Sequence, residues 1–304
     1  MAADPNEQQH GQTLFSQRAR YHSSENNFEF SWPAVPVHQF VEERDHALAE
    51  HTPTGLIPLD LGNELGLDYP ATTPTLLTRY AKICADEALS VSFKAAGTVY
   101  YVIRGEGCST QDNNVIEWGA GDLFCFPGAG KTVHQAGGRD SLLFLATNEP
   151  LLSIDRLSPP PPGEAVVEAV HWPADEITRQ FEPVLRRPIT EKTSGHAVLF
   201  SSSALGGSTN ILPTVNCAVN TLESGKDQRP HRHNGVAVTL CIRGQGVYSQ
   251  IEDQRVDWID FGVQITPPAA LHSHHNRGPE RMECLIFQDE ALHYYTRTPG
   301  FSWT

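Results

Sequence analysis

The feature that most constrains the fold is a pair of histidines one residue apart, His231 and His233, with His272 following 39 residues after His233. Side chains at positions i and i+2 of an extended strand project from the same face. The β-branched and aliphatic pattern of 236–242 indicates that the segment is extended. His272 follows a Pro-Pro turn that can return a third imidazole to that face. The pattern predicts three neutral imidazoles on one metal ion, with positions left for water or dioxygen.

The surroundings of these histidines resemble the two motifs of the cupin superfamily. Gly225 and the His231–His233 segment are similar to the first motif, and Pro267, Ala269, His272 and Asn276 to the second, with Ala269 in place of the usual glycine. Ala237 stands where the first motif usually carries a glutamate. Three histidines without that glutamate are typical of gentisate 1,2-dioxygenase-like bicupins. The resemblance implies an all-β chain of two tandem jelly-roll barrels with an N-terminal arm and a few short helices.

An internal repeat supports two barrels. Arg104-Gly-Glu-Gly107 is answered by Arg243-Gly-Gln-Gly246 at a spacing of 139 residues. The positions equivalent to the three ligands in the first copy hold residues other than histidine. Only His274 has a histidine at its equivalent position, His134. The first barrel is therefore predicted to bind no metal. The lost ligand positions are Ser92, Lys94 and Thr132.

These patterns divide the 304 residues into four segments. We expect an N-terminal arm at 1–76, a first barrel at 77–157, a linker at 158–195 and a metal-binding second barrel at 196–304. In the linker, Pro173 is expected to open a short helix that stops before Pro183.

Charge and composition exclude several classes of partner. The formal net charge of −14 argues against nucleic acid and anionic membranes. The sequence has no apolar run long enough to span a membrane, and its start lacks the apolar core of a secretory signal. Six cysteines without CxxC spacing fit reduced thiols. A cytoplasmic homo-oligomer is expected.

The resemblance implies Fe(II) and an extradiol-type, gentisate-like cleavage of a hydroxylated aromatic ring with O2. Spacing alone leaves manganese, nickel, copper and zinc open, because all of them accept imidazole. The implied role of His231, His233 and His272 is metal ligation. His274 resembles a family histidine that contacts substrate or oxygen, and is the candidate catalytic acid or base.

One departure leaves the substrate open. The family's arginine that pairs with substrate is replaced by Thr239, so either Arg232 or Lys226 substitutes or the substrate differs. Gentisate, hydroquinones, substituted salicylates and hydroxynaphthoates are all candidates. The alternatives are a non-oxidative metallocupin (lyase, isomerase or decarboxylase) and a non-catalytic cupin that binds a small metabolite. The missing glutamate at Ala237 counts against a decarboxylase, and the intact histidine set counts against a pure binding barrel.

Overall fold

The computed structural model describes residues 13–25, 31–161, 163–190, 195–298 and 300–303. By its internal contacts the chain forms two units, Met1–Pro33 and Ala34–Thr304. The first unit contains helix α1 (Leu14–Arg18), whose N-cap Thr13 accepts a hydrogen bond from the amide of Ser16. Residues 1–12 and 26–30 of the expected arm lie outside the described part of the chain.

The second unit is mostly strand. Its strands before residue 148 are β1 (His38–Phe40), β2 (Gly55–Leu59), β3 (Leu77–Ile83), β4 (Ala88–Val91), β5 (Gly97–Arg104), β6 (Glu106–Gln111), β7 (Asn114–Gly119), β8 (Leu123–Pro127), β9 (Thr132–Ala136) and β10 (Ser141–Thr147). Those after it are β11 (Val170–Trp172), β12 (His196–Leu199), β13 (Asn216–Leu222), β14 (His231–His233), β15 (Ala237–Arg243), β16 (Val247–Ile251), β17 (Gln254–Asp257), β18 (Val263–Thr266), β19 (His272–Asn276), β20 (Met282–Gln288) and β21 (Phe301–Trp303). The helices are α2 (Val41–Leu48), α3 (Glu149–Ile154), α4 (Ala174–Leu185), α5 (Ala291–Thr296) and a 3-10 turn, Ser203–Leu205.

The strands form two barrels of matching design, each made of two antiparallel sheets. The first barrel has a six-stranded sheet, β11-β8-β5-β10-β3-β2, and a four-stranded sheet, β4-β9-β6-β7. The second has a six-stranded sheet, β1-β18-β15-β20-β13-β12, and a five-stranded sheet, β17-β16-β19-β14-β21. The all-β tandem-barrel fold predicted from the repeat and the motifs is confirmed.

Two strands that lie outside the main barrel segments, β1 and β11, each form the edge of a six-stranded sheet. β1 precedes the first barrel but pairs with β18 of the second, whereas β11 follows the first barrel and pairs with β8 of that barrel. β1 and β11 occupy equivalent places in the two six-stranded sheets. The domain limits given above stay a prediction. The pairing shows that one segment of the expected arm and one of the expected linker are strands of these sheets.

The two six-stranded sheets share one apolar core. Phe144 on β10 lies 5.8 Å from Phe287 on β20, measured between ring centroids. The Tyr80 hydroxyl donates to the carbonyl of Phe261 across the same boundary at 2.6 Å. β10 is buried along its whole length, and a strand covered on both faces reads as a continuous apolar run. The remaining faces enclose one interior per barrel.

The linker helix ends later than expected. α4 runs through Pro183 to Leu185 instead of stopping before the proline. A proline in the last turn removes a single backbone donor, and burial of Phe181 against the shared core holds the helix in place. Among the described helices, none has the length and apolarity needed to cross a membrane.

Candidate metal centre

The three predicted ligands meet inside the second barrel. β14 carries His231 and His233 and pairs with β19, where His231 is directly opposite His272. Their side chains are almost fully buried, and one nitrogen of each lies within 4.8 Å of the others. Within the described ranges, this is the one group of three such side chains able to hold a metal.

Each of these imidazoles is oriented by a backbone carbonyl two residues away. Nδ1 lies 3.0 Å from the Arg229 carbonyl in His231, 2.7 Å from the Gly235 carbonyl in His233 and 2.9 Å from the Ala270 carbonyl in His272. A carbonyl only accepts, so each Nδ1 carries the proton and each Nε2 keeps its lone pair. This arrangement fixes the tautomer and ring orientation that metal ligation requires.

Burial keeps these rings neutral. Desolvation lowers the pKa of His272 to about 2 and that of His233 to about 4, helped in both cases by neighbouring histidines. The pKa of His231 is also lowered, chiefly by desolvation. A neutral imidazole is the metal-binding form, so the site is ready for a cation at physiological pH.

His274 lies beside His272, with ring centroids 6.0 Å apart, in a hydrogen-bonded group that the sequence motifs do not include. Trp258 Nε1 and Gln264 Nε2 both donate to the Ser249 hydroxyl oxygen, each at 2.8 Å. With both lone pairs occupied, the hydroxyl donates its own hydrogen to Nδ1 of His274 at 2.9 Å. The ring therefore carries its proton on Nε2. Desolvation lowers the pKa of His274 to about 3. His274 is thus a positioned neutral donor.

The first barrel keeps most of this group. Ser109 Oγ lies 2.6 Å from Nδ1 of His134 and accepts from Trp118 Nε1 at 2.8 Å. Serine, tryptophan and histidine each recur 140 residues later. Phe124 stands where Gln264 would be, and it stacks on Tyr100 with ring centroids 4.9 Å apart. Aromatic rings thus fill the interior that is polar in the second barrel.

The transferred ligand positions of the first barrel are not arranged as a site. Ser92 and Lys94 lie past the end of β4 and are exposed, whereas Thr132 is buried at the start of β9. The first barrel's smaller sheet therefore lacks the pair of same-face side chains that β14 supplies. That this barrel binds no metal stays a prediction.

The C-terminal strand forms a wall beside the metal centre. β21 pairs with β14 so that Trp303 is opposite His231 and Phe301 opposite His233. Residues directly opposite in a sheet share a face. The Phe301 ring stacks on His231 with centroids 5.1 Å apart, and Trp303 lies 5.6 Å from the same ring.

The cations considered for substrate differ in position. Arg232 lies between the two ligands of β14 and its guanidinium is bound by the Glu252 carboxylate and the Ala269 carbonyl, so it is directed away from the metal. Lys226 is exposed. The guanidinium of Arg229 lies 5.1 Å from the Trp303 ring centroid, next to the aromatic wall. Sequence reasoning missed this arginine because the contact depends on the C-terminal strand.

Comparisons with known proteins show which folds this chain is similar to. No family model matches the chain. A segment of 81 residues is 33% identical to the 5-aminosalicylate 1,2-dioxygenase of Comamonas sp., covering 27% of this chain and 22% of that protein. The chain thus spans about a fifth of the length of this curated relative.

Solved structures match over far more of the chain. The salicylate 1,2-dioxygenase of Pseudaminobacter salicylatoxidans has a TM-score of 0.75 at 13% identity, covering 90% of this chain and 89% of that one. Its adduct with gentisate matches with a TM-score of 0.73 at 13% identity, covering 90% and 86%. A Bacillus subtilis oxalate decarboxylase variant matches with a TM-score of 0.53 at 15% identity, covering 88% and 77%. The chain therefore has the tandem-barrel fold of salicylate 1,2-dioxygenase, which agrees with the two barrels that its motifs predict.

Proposed function

We propose that this protein is an Fe(II)-dependent dioxygenase that opens a hydroxylated aromatic ring with O2, in the extradiol-type, gentisate-like manner. The observation that carries the proposal is the convergence of three buried, neutral imidazoles with their Nε2 lone pairs available. The local identity to 5-aminosalicylate 1,2-dioxygenase and the fold of salicylate 1,2-dioxygenase support it. We place it in the cytoplasm as a homo-oligomer.

The residues present fit iron. Three imidazoles of fixed tautomer form a donor set that first-row divalent metals accept, and manganese, nickel, copper and zinc share that preference. When bound, Fe(II) would supply the redox centre for O2 and hold the oxygen substituents of the ring. The protein contributes a largely buried site that restricts water.

The chain's own groups then position the substrate. Nε2–H of His274 is a fixed hydrogen-bond donor, suited to an oxygen of the substrate or of O2, because Ser249 holds the opposite nitrogen. Phe301 and Trp303 offer ring faces to an aromatic substrate. Thr239 has a small, polar side chain at the position where the first barrel has Tyr100.

Arg229 is the proposed partner of a substrate carboxylate. Replacing its guanidinium in Arg229→Gln removes a charge-assisted contact, so KM for gentisate should rise about 10-fold, in line with the ~1.5–3 kcal/mol of a charged hydrogen bond. Hydroquinone lacks the carboxylate and its KM should not change. Steady-state oxygen uptake measures both.

Arg255→Gln is the matched control for that variant, because Arg255 is another exposed arginine over an aromatic ring, 3.9 Å from Tyr248. It should alter neither KM. Equal effects of Arg229→Gln on both substrates would contradict the carboxylate assignment.

The function itself is tested by loading the protein with Fe(II) anaerobically and following oxygen uptake. The panel is gentisate, hydroquinone, substituted salicylates and 1-hydroxy-2-naphthoate. Uptake matched by a ring-opened chromophore is the expected result. Tight metal binding with no uptake on any member would contradict the dioxygenase proposal and favour a lyase, isomerase or decarboxylase. Failure to bind metal would favour a non-catalytic, metabolite-binding cupin.

A further inference from the structure

A fourth side chain, from the six-stranded sheet of the second barrel, reaches one of the three histidines. Gln288 ends β20 and is directly opposite Ala237 on β15. Its Nε2 donates to Nε2 of His233 at 3.1 Å. Ala237 is the position of the missing glutamate, and its short side chain leaves the amide of Gln288 room to approach His233.

This contact cannot persist when a metal is bound. Nδ1 of His233 is held by the Gly235 carbonyl, so the Nε2 lone pair is the only one that His233 can give to a metal. A metal at that nitrogen removes the acceptor for the Gln288 NH2 group. Rotating the carboxamide by about half a turn exchanges its nitrogen and oxygen, which turns an oxygen donor toward the same place.

The separation suits a shared metal. Metal–imidazole bonds are ~2.1 Å long, so two donor atoms at neighbouring corners of an octahedral site lie about 3 Å apart. The 3.1 Å between the Gln288 amide and His233 Nε2 matches that spacing.

The first barrel offers a contrast. Thr147 has the same register there, opposite Thr98. Its hydroxyl contacts the Glu149 carboxylate at 2.8 Å and the Leu77 carbonyl at 3.2 Å. The barrel without the histidines therefore has no carboxamide at this place.

We propose that the side-chain oxygen of Gln288 is the fourth protein ligand of the metal, at the place where Ala237 leaves no carboxylate. This proposal rests on the metal centre of the proposed function and deepens it. A neutral amide oxygen binds a divalent ion more weakly than a carboxylate, so a chelating substrate can displace it. Gln288 would then bind the metal while no substrate is present, and a bound substrate would displace it.

The experiment is a titration of the metal-free protein with cobalt(II), a spectroscopic substitute for iron, followed by visible absorption. Gln288→Leu removes the donor, so Kd for cobalt(II) should rise about 10-fold and the visible bands should intensify as the coordination number falls. Gln288→Glu supplies a carboxylate and should lower Kd about 10-fold. Gln254→Leu, at an exposed position on β17, is the matched control and should leave both readouts unchanged.

The outcomes separate this proposal from the function on which it rests. Wild-type protein that binds no cobalt would overturn the metal centre and the ligand together. Wild-type binding with a Gln288→Leu spectrum and Kd equal to wild type would overturn the ligand alone. If Gln288→Leu does not fold, Gln288→Glu decides, because an unchanged Kd for that variant would also overturn the assignment.

Discussion

The two barrels share a scaffold and differ in what fills it. Both hold a histidine through a serine that accepts from a tryptophan, Ser109 and Ser249 being the equivalent hydroxyls. The first barrel closes its interior with Tyr100 and Phe124, whereas the second has Thr239 and Gln264 at those places. The hydrogen-bonded group therefore does not depend on the metal ligands. What distinguishes the candidate active barrel is its more polar interior and the two histidines on β14, which takes the place that β4 has in the first barrel.

The largest expected effect comes from removing a ligand in one barrel and its counterpart in the other. His272→Ala should lower metal affinity by at least about 100-fold, since loss of a supporting contact alone costs ~10–100-fold. Thr132→Ala, at the equivalent position of the first barrel, should change neither metal content nor activity. Metal analysis after dialysis and oxygen uptake give the two readouts.

Ser92→Ala provides a second control at a transferred ligand position and should also be silent. Full activity of His272→Ala, or loss of metal in Thr132→Ala, would break the assignment of the site to the second barrel.

A smaller effect is expected from the two serines. Ser249→Ala and Ser109→Ala each leave buried donors unpaired, so each should lower the free energy of unfolding by ~1–3 kcal/mol in denaturant titrations. Ser249→Ala should also lower kcat about 10-fold, because the proton of His274 is then no longer confined to Nε2.

Ser249→Thr restores the hydroxyl and should recover kcat, which a general loss of stability would not explain. Ser109→Ala should leave kcat unchanged. A reduced kcat in Ser109→Ala would show that the two interiors are coupled.

The smallest expected effect is on stability and concerns the turns before His272 and before Thr132, its counterpart in the first barrel. Ala269 and its counterpart Ala129 both have positive φ, +60° and +62°. Glycine relieves the strain of that conformation, so Ala269→Gly and Ala129→Gly should each raise the free energy of unfolding by about 0.5–1 kcal/mol. Chemical denaturation measures both, and a loss of stability in either variant would contradict this reading of the turn.

The sequence predicted the parts that have a local signature. The spacing of His231, His233 and His272 predicted the candidate metal centre, and the repeated Arg-Gly-x-Gly turns predicted two barrels. The serine and tryptophan of the shared scaffold had a usable signal, since Ser249 and Trp258 recur 140 residues after their counterparts. Comparing the two halves position by position would have found them.

Other parts depend on strand register, which cannot be read from the sequence. Gln288 becomes relevant only because it is opposite Ala237, and Arg229 only because Trp303 returns beside β14. The sequence offers Arg232 as a cation for substrate, yet alternation along β14 directs it to the outer face, where it binds Glu252. A contact between strands distant in sequence is fixed by the closed barrel, not by neighbouring residues.

The two rim strands, β1 and β11, impose an order on the assembly of the sheets during synthesis. As the chain leaves the ribosome, β1 emerges early but must wait for β18, and His38 has no partner until Ile265 has been made. The first barrel in turn gains its last strand only when Val170–Trp172 follows it out. A nascent chain that ends after Thr147 would thus expose an unpaired sheet edge, which is a site for aggregation. Completion of the second barrel is therefore a late event, and a cut between the barrels would separate β1 from the sheet to which it belongs.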